Sequence, residues 1–433
     1  MVTLARVKIW GQYVGAVAWL EDQQYATFQY EPDFLKKEID LAPVKMPIRE
    51  GGRVYSFPEL RSKNSELDTF KGLPGLLADA LPDKYGNQLI NSYLAQNGRT
   101  SGSMNPVEKL CFIGSRGMGA LEFEPTELKQ YKRSFNVEID SLVNVAQRIL
   151  SERTLFDTNL TDDDEEAMMD ILKIGTSAGG ARPKAIIAFN EKTGEVKSGQ
   201  TNTPKGFEQW LIKLDGVSDA QFGSTSGYGR VEMAYYLMAK AAGIEMTESR
   251  LIEENDRAHF MTKRFDRFGG SEKYHVQTFC AMEHFDFNDV GSFSYEQLFQ
   301  TMRKLRLPYP EAEELFRRMV FNVLSRNCDD HTKNFAFRLK QGGKWELSPA
   351  YDVCHAYRPE SRWVSQHALS VNGKRYSITK GDFLVVAKSM NIKRGPKIIE
   401  EVDSVVRQWS SFASEVGVSK KLKLAIAKTL IHI

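Results

Sequence analysis

Positions 329–334, inside SRNCDDHTKNFAF (325–337), hold two adjacent aspartates, a histidine, a lysine and an asparagine, with apolar sequence on both sides. Phosphoryl transfer asks for such a set. One carboxylate orients an attacking hydroxyl and accepts its proton, while an amide oxygen and a second carboxylate hold magnesium against the phosphates. Asp329 and Asn334 stand five apart, the spacing that places base and metal ligand on one catalytic loop in protein kinases. Asp352 follows the short hairpin FAFRL (335–339), QGG, KWEL (344–347) and is placed to be the second metal ligand. His331 is expected to fix the loop by hydrogen bonding, Lys333 to neutralise the transferred phosphate, and Asp330 to be a solvent-facing neighbour. Taken singly, each has a plainer reading: Asp352 as a turn residue, Lys333 as an exposed charge.

Upstream, GTSAGGARPK (175–184) offers closely spaced backbone N–H groups that side chains do not crowd, as a phosphate cradle requires. It is neither G-x-x-x-x-G-K-[ST] nor G-x-G-x-x-G, and a tight turn between strands explains the segment equally well. Lys213 sits in WLIKLD between large apolar neighbours, where an unpaired ammonium is costly. That placement suits a lysine reaching nucleotide phosphates. Glycine-rich loop, strand lysine, helix, strand with connector, and then Asp329, Asn334 and Asp352 reproduce the kinase order of parts.

The elements that must position these groups follow from periodicity. Residues 1 to about 125 are strand-rich, opening on a predicted hairpin that turns at Gly11-Gln12. Short strands are expected around AIIAF, WLIKLDG (210–216) and HFMTKRFDR (259–267), and a helix over VEMAYYLMAKAAGIEM (231–246). PEAEELFRRMVFNVLSRN (310–327) has proline in its first turn and apolar pairs at 315/316, 319/320 and 323/324, so it is predicted to be a helix burying one face. TDDDEEAMMDIL (161–172) reads as a helix start capped by Thr161, with acids at the positive end, rather than as a metal site. The fold class expected is α+β and two-lobed, strand-rich first and helical second.

Composition narrows the function further. Lysine plus arginine total 58 against 56 acidic residues, a net charge of +2, so nothing marks a polyanion-coating or membrane-surface protein. The four cysteines, at 111, 280, 328 and 354, form no C-x-x-C pair and favour reduced thiols in a cytoplasmic protein. The N-terminus reads as strands rather than a signal sequence, and no apolar run approaches the ~20 residues that span a bilayer. The lysine-bearing segments 373–383 and 419–428 read as solvated faces, with contact to DNA phosphates as the alternative.

Jointly, GLPGLLADALPDKYG (72–86), GSRGMGALEFEP (114–125), TSAGGARPK, WLIKLD, KRFDR, NCDDHTKN and YDV resemble the HipA family of bacterial serine/threonine kinases, the toxins of toxin–antitoxin pairs, over nearly the whole chain. The resemblance implies a protein-kinase-like fold, an N-terminal module (1–125) fused to the upper lobe (126–265), a helical lower lobe (266–433), and ATP with Mg2+ in the cleft between lobes. It makes Asp329, with His331 beside it, the catalytic pair, and Asn334 and Asp352 the magnesium ligands. Nucleotide contacts are implied for Gly179, Gly180, Ala181, Arg182, Pro183 and Lys184 of the phosphate loop, for Lys213, and for Lys263, Arg264 and Phe265 of the hinge. The set is completed by His331, Thr332, Lys333, Asn334, Tyr351 and Asp352. The hinge often begins with an acidic residue in this family, whereas here it begins with Lys263. Ser177 corresponds to the serine such kinases phosphorylate in themselves, which adds about −1.5 to −2 charges where ATP phosphates sit. A helix-turn-helix antitoxin of the HipB type, operator DNA reached through it, and a translation protein such as an aminoacyl-tRNA synthetase are the implied partners. Two other readings stay open: a small-molecule kinase of the aminoglycoside or choline type, and a catalytically silent co-repressor.

Overall fold

The computed structural model describes residues 2–63, 67–100, 102–126, 136–151, 183–199, 203–219, 223–224, 226–268 and 272–433. Of the predicted features, the helix start at Thr161 and phosphate-loop residues Ser177, Gly179, Gly180, Ala181 and Arg182 lie outside the described residues. The chain divides into two compact units. The first comprises Met1–Ser226, Ile252–Val276 and Lys340–Gly342; the second comprises Gly227–Leu251, Gln277–Leu339 and Gly343–Ile433. The N-terminal module and the segment around Lys213 thus share one unit, while the predicted helix near 231–246 belongs with the C-terminal one.

The first unit holds two sheets. In the N-terminal one, β1 (Leu4–Ile9), β2 (Gln12–Leu20), β3 (Tyr25–Tyr30), β4 (Val54–Ser56) and β5 (Leu121–Glu124) lie in the order β4-β3-β2-β1-β5. Alternation in LARVKI buries Ala5, Val7 and Ile9 and turns Leu4 and Arg6 to solvent, the period-2 pattern of a half-buried strand. The β1–β2 hairpin turns at Trp10-Gly11, both at positive φ, one residue earlier than the sequence suggested. Such a two-residue turn matches strand twist only when both central residues are left-handed. Helix α1 (Lys84–Gln96) starts at Asp83, whose carboxylate accepts from Gly86 N at 2.7 Å, and α2 (Pro106–Ile113) packs against β1, β2 and β5.

The second sheet contains β6 (Lys184–Phe189), β7 (Val196–Ser198), β8 (Glu208–Lys213), β9 (Ser249–Glu254) and β10 (Arg257–Lys263) in the order β9-β10-β8-β6-β7. Its core joins Ala185, Ile187, Trp210, Ile212 and Met261 to Tyr85 and Leu89 of α1. Helix α3 (Ile139–Ser151) adds Leu142 to the same core.

The second unit is mainly helical. It contains α4 (Tyr228–Ala241), α5 (Tyr295–Lys304) with a Ser294/Gln297 capping box, α6 (Tyr309–Leu324), α7 (Lys380–Met390), α8 (Gly395–Val406), α9 (Trp409–Glu415) and α10 (Lys420–Ala427). In α6 the predicted apolar pairs Leu315/Phe316, Met319/Val320 and Val323/Leu324 are all buried. After α6 comes the DDHTKN loop, then a hairpin of β11 (Ala336–Leu339) and β12 (Trp345–Leu347). Arg318 of α6 ties the hairpin exit down by donating to Ser348 O at 2.8 Å, while Glu314 accepts from its Nε at 2.8 Å. All four cysteines are free thiols.

Candidate active site

The catalytic-loop candidates gather in the helical unit. A 3₁₀ turn, Thr332–Asn334, closes the loop, with Asn334 N donating to His331 O at 2.9 Å. The Asn334 side chain donates from Nδ2 to the backbone oxygen of Asp329 at 2.6 Å. A carbonyl oxygen only accepts, so this contact fixes which end of the amide carries the N–H groups and leaves Oδ1 as an acceptor. Asn334 and Asp352 line the same narrow cavity, together with Asn327, Asp330 and Tyr351. Asp352 has φ 53°, a left-handed conformation that aspartate tolerates better than most residues and that recurs at functional sites. Tyr351 spans the loop by donating its hydroxyl to Lys333 O at 2.7 Å.

This donor set fits magnesium. The ion is usually held through one or two carboxylates plus phosphate oxygens and keeps its own waters, so one amide oxygen and one carboxylate suffice from the protein. Among the described residues no group of three or more His, Cys, Asp or Glu side chains is arranged to hold a metal.

Two loop residues sit otherwise than expected. Asp330 is fully buried, not solvent-facing. Its Oδ2 accepts from the Tyr295 hydroxyl at 2.8 Å and lies 3.0 Å from His367 Nδ1, and its Oδ1 accepts from Ala368 N at 2.7 Å. A carboxylate removed from water needs such donors, and here three converge. Burial alone would depress the His367 pKa, but the facing Asp330 carboxylate outweighs it and pushes the imidazole up to about 10. The His331 backbone oxygen closes the loop, but its side chain makes no hydrogen bond among the described residues: the ring packs on Phe287 at 5.2 Å and Nε2 is 3.9 Å from Asp329. Lys333 Nζ stands 4.7 Å from the centre of the same Phe287 ring, a cation–π contact. Thr332 is buried and donates to Phe285 O at 3.0 Å. Asp329 itself is half exposed.

In the strand-rich unit, Lys213 ends β8 and is paired across the ladders with Lys184 on one side and Phe260 on the other. Lys184 differs from the expected phosphate-loop role. It is buried and ion-paired with Asp83 at 2.9 Å, so the N-cap of α1 holds the first residue of β6. Pro183, just before it, is buried as well. The predicted hinge is likewise partly committed. Lys263 lies in the ladder opposite Trp210 and pairs with Glu208. Arg264 is buried, forks onto Asp266 at 2.8 and 2.7 Å, and donates its own N–H to Gln209 O at 3.0 Å. Phe265 is buried.

Asp266 is the centre of this knot. It accepts from Gly119 N at 2.7 Å and from Arg267 at 2.6 Å, while Arg267 also reaches Gly119 O and Gly117 O, each at 2.9 Å. Burial pushes the Asp266 carboxyl up, but Arg264 and Arg267 hold it well below the usual carboxylate range. KRFDR and GSRGMG, two motifs far apart in sequence, are therefore two halves of one structural joint. Asp83 carries a sequence signal, an aspartate directly before a helix. His367 carries none, since nothing local ties it to a loop 37 residues away.

The fold is α+β, of the two-lobed kinase-like class, with the strand-rich N-terminal module in the same unit as the second sheet. Residues 176–409 match the HipA-like C-terminal domain and residues 5–124 the HipA N-terminal domain. The chain belongs to the HipA family. A HipA chain from Shewanella oneidensis MR-1, solved with HipB and its operator DNA, is 18% identical with a TM-score of 0.65, covering 98% of this chain and 94% of that one. The Helicobacter pylori proinflammatory kinase CtkA is 14% identical and covers 58% of this chain and 96% of its own, with a TM-score of 0.34 that supports no argument. Among the described residues no helix is long and apolar enough to cross a membrane.

Proposed function

We propose that this protein is an ATP-dependent serine/threonine kinase and the toxin of a toxin–antitoxin pair. The observation that carries the reading is the meeting of Asn334 and Asp352 at one cavity, with Asn334 hydrogen-bonded to the backbone of a half-exposed Asp329. In the reaction, the acceptor hydroxyl oxygen forms a bond to the γ-phosphorus, the bond from that phosphorus to ADP breaks, and the hydroxyl proton passes to Asp329. Asp329 also orients the hydroxyl before attack. A bound Mg2+, held by Asn334 and Asp352, supplies neutralisation of phosphate charge. Lys333, steadied on Phe287, adds a positive charge near the transferred group. Nucleotide contacts by Pro183, Lys213, Lys263–Phe265, Thr332 and Tyr351 belong to the same proposal, as does phosphorylation of Ser177 as an off-switch.

A HipB-like antitoxin and operator DNA reached through it are proposed as partners, because the similar Shewanella chain was solved with both. A translation protein, an aminoacyl-tRNA synthetase among the candidates, is proposed as substrate on the family resemblance alone. Purified protein incubated with labelled Mg-ATP and soluble cell protein is expected to label polypeptide serine or threonine. Label appearing only on free sugars or amino alcohols would instead make it a small-molecule kinase. Expression without antitoxin is expected to slow growth, and Asp329→Asn to relieve that defect.

A further inference from the structure

Directly after the proposed base, the chain buries a carboxylate that the reaction scheme does not use. Asp330 is wholly enclosed, and its donors come from widely separated segments: Tyr295 from the first turn of α5, His367 and Ala368 from the stretch after Asp352. The donors are themselves held. Asn322 of α6 donates to the Tyr295 oxygen at 3.0 Å and accepts from Asn327 Nδ2 at 3.0 Å. His367 Nε2 faces Cys328 Sγ at 3.7 Å, and His367 O accepts from Arg375 Nε at 2.6 Å. Thus every residue from 327 to 330 is pinned except the side chain of Asp329. Asp330 and Asn334 border the same cavity as Asp352.

We infer that Asp330 and His367 form a buried positioning pair that sets the direction of Asp329, so that its carboxylate meets the acceptor hydroxyl without a search. The inference rests on the kinase reading and adds a role to two residues outside the chemistry. Asp330 is a sound anchor because one peptide bond joins its backbone to that of Asp329, so a shift at its carboxylate moves the backbone that carries the proposed base. Transfer rates fall steeply with small misplacements: about 1 Å costs on the order of 100-fold. Substrate affinity, made elsewhere, need not follow. The pair should therefore govern kcat and leave ATP affinity nearly intact.

The test compares wild type with Asp330→Asn, His367→Ala, His367→Asn and Tyr295→Phe in the full chain. Transfer of labelled γ-phosphate from Mg-ATP, to the chain itself or to water, gives kcat and KM. ATP binding by calorimetry and thermal unfolding are measured alongside. Expected results are a kcat about 100-fold lower for Asp330→Asn and His367→Ala, with ATP affinity within about threefold of wild type. His367→Asn keeps an N–H close to the Nδ1 position and should recover most of the loss. Should His367→Ala not fold, Tyr295→Phe, which removes one oxygen, is expected to lower kcat by about tenfold and serves as the deciding variant. Folded variants that turn over like wild type would overturn the positioning role and leave the kinase reading standing. A matching loss of ATP affinity would also overturn it, since the pair would then be shaping the nucleotide site. A wild type that transfers no phosphate under any condition would overturn both.

Discussion

Asp266 and Asp330 are both fully buried carboxylates, one in each unit, and each belongs to a short motif visible in the sequence. Their partners differ in kind. Asp266 is gripped by two guanidinium groups and a backbone N–H from the GSRGMG loop. Asp330 is held by a phenol, a backbone N–H and an imidazolium. Arginine stays charged at any pH a cell meets, even though burial brings Arg267 down to about 10, whereas a histidine's charge is conditional on its partners. The first cluster is therefore a permanent fastener between two stretches of the strand-rich unit. The second stands beside the proposed base and owes its cation to an imidazole whose ordinary pKa is about 6.5.

The largest effect expected from this contrast is on Asp266. Asp266→Asn leaves two buried guanidinium groups facing an amide that cannot balance them, and breaking a buried pair in this way costs about 3–5 kcal/mol. A clear drop in the first thermal transition is expected, and an unchanged one would mean the knot is not a fastener at all.

The next effect separates the two clusters by pH. His367 has its pKa raised from about 6.5 to about 10, so the stability it lends is complete below about pH 6.5 and is lost as pH rises toward 10. Asp266 is depressed, so its contribution is present above about pH 4 and is lost only in acid. Between pH 7 and 10 the thermal midpoint of wild type should fall more steeply than that of His367→Asn, which lacks the titrating ring. On the acid side, burial holds His275 and His355 neutral down to about pH 4, with the charges of Arg326 and Arg358 assisting at His355. Their contribution is present above about pH 6.5 and is lost as pH falls toward 4, in both proteins alike. Parallel alkaline limbs for wild type and His367→Asn would show that the Asp330 cluster is as insensitive as the Asp266 one.

A smaller loss is expected at Asp83. Asp83→Ala removes a helix cap, worth about 1 kcal/mol, and takes away the carboxylate that pairs with the buried Lys184 ammonium. Denaturation should show a total of roughly 2–4 kcal/mol, the cap plus about 1–3 kcal/mol for the lost charge-assisted bond. Pairing it with Lys184→Met, which removes the facing charge, should return most of what exceeds the cap; no recovery would mean that the ion pair adds nothing to the cap.

The sequence disclosed what is periodic or local. The α6 helix, the alternating N-terminal strands and the hairpin before Asp352 follow from spacing within about 20 residues. Contacts that join distant segments were hidden. Asp329 and Asp330 are the same residue type side by side, and only the packing of Tyr295 and His367 decides that one faces solvent and the other does not. The same holds for Lys184, whose partner lies 101 positions away at Asp83, and for Arg264, whose fork closes on Asp266 because GSRGMG completes the cage. A resemblance to kinase phosphate and hinge segments named these residues but said nothing of what already occupies their charges.

The smallest stability effect is the most telling about function. Asp329 is half exposed, its carboxylate lies 3.9 Å from His331 Nε2, and the atom that organises the loop is its backbone oxygen. Asp329→Asn keeps that oxygen and the side-chain shape, so unfolding should shift by no more than about 0.5 kcal/mol. Phosphoryl transfer, deprived of its base, should fall by about 10²–10⁴-fold. Asp330→Asn, one position on, should lose both stability and rate, because its carboxylate is a structural anchor and its influence on the chemistry is indirect. Equal stability losses in the two variants would erase the distinction between the exposed acid proposed to react and the buried acid proposed to aim it.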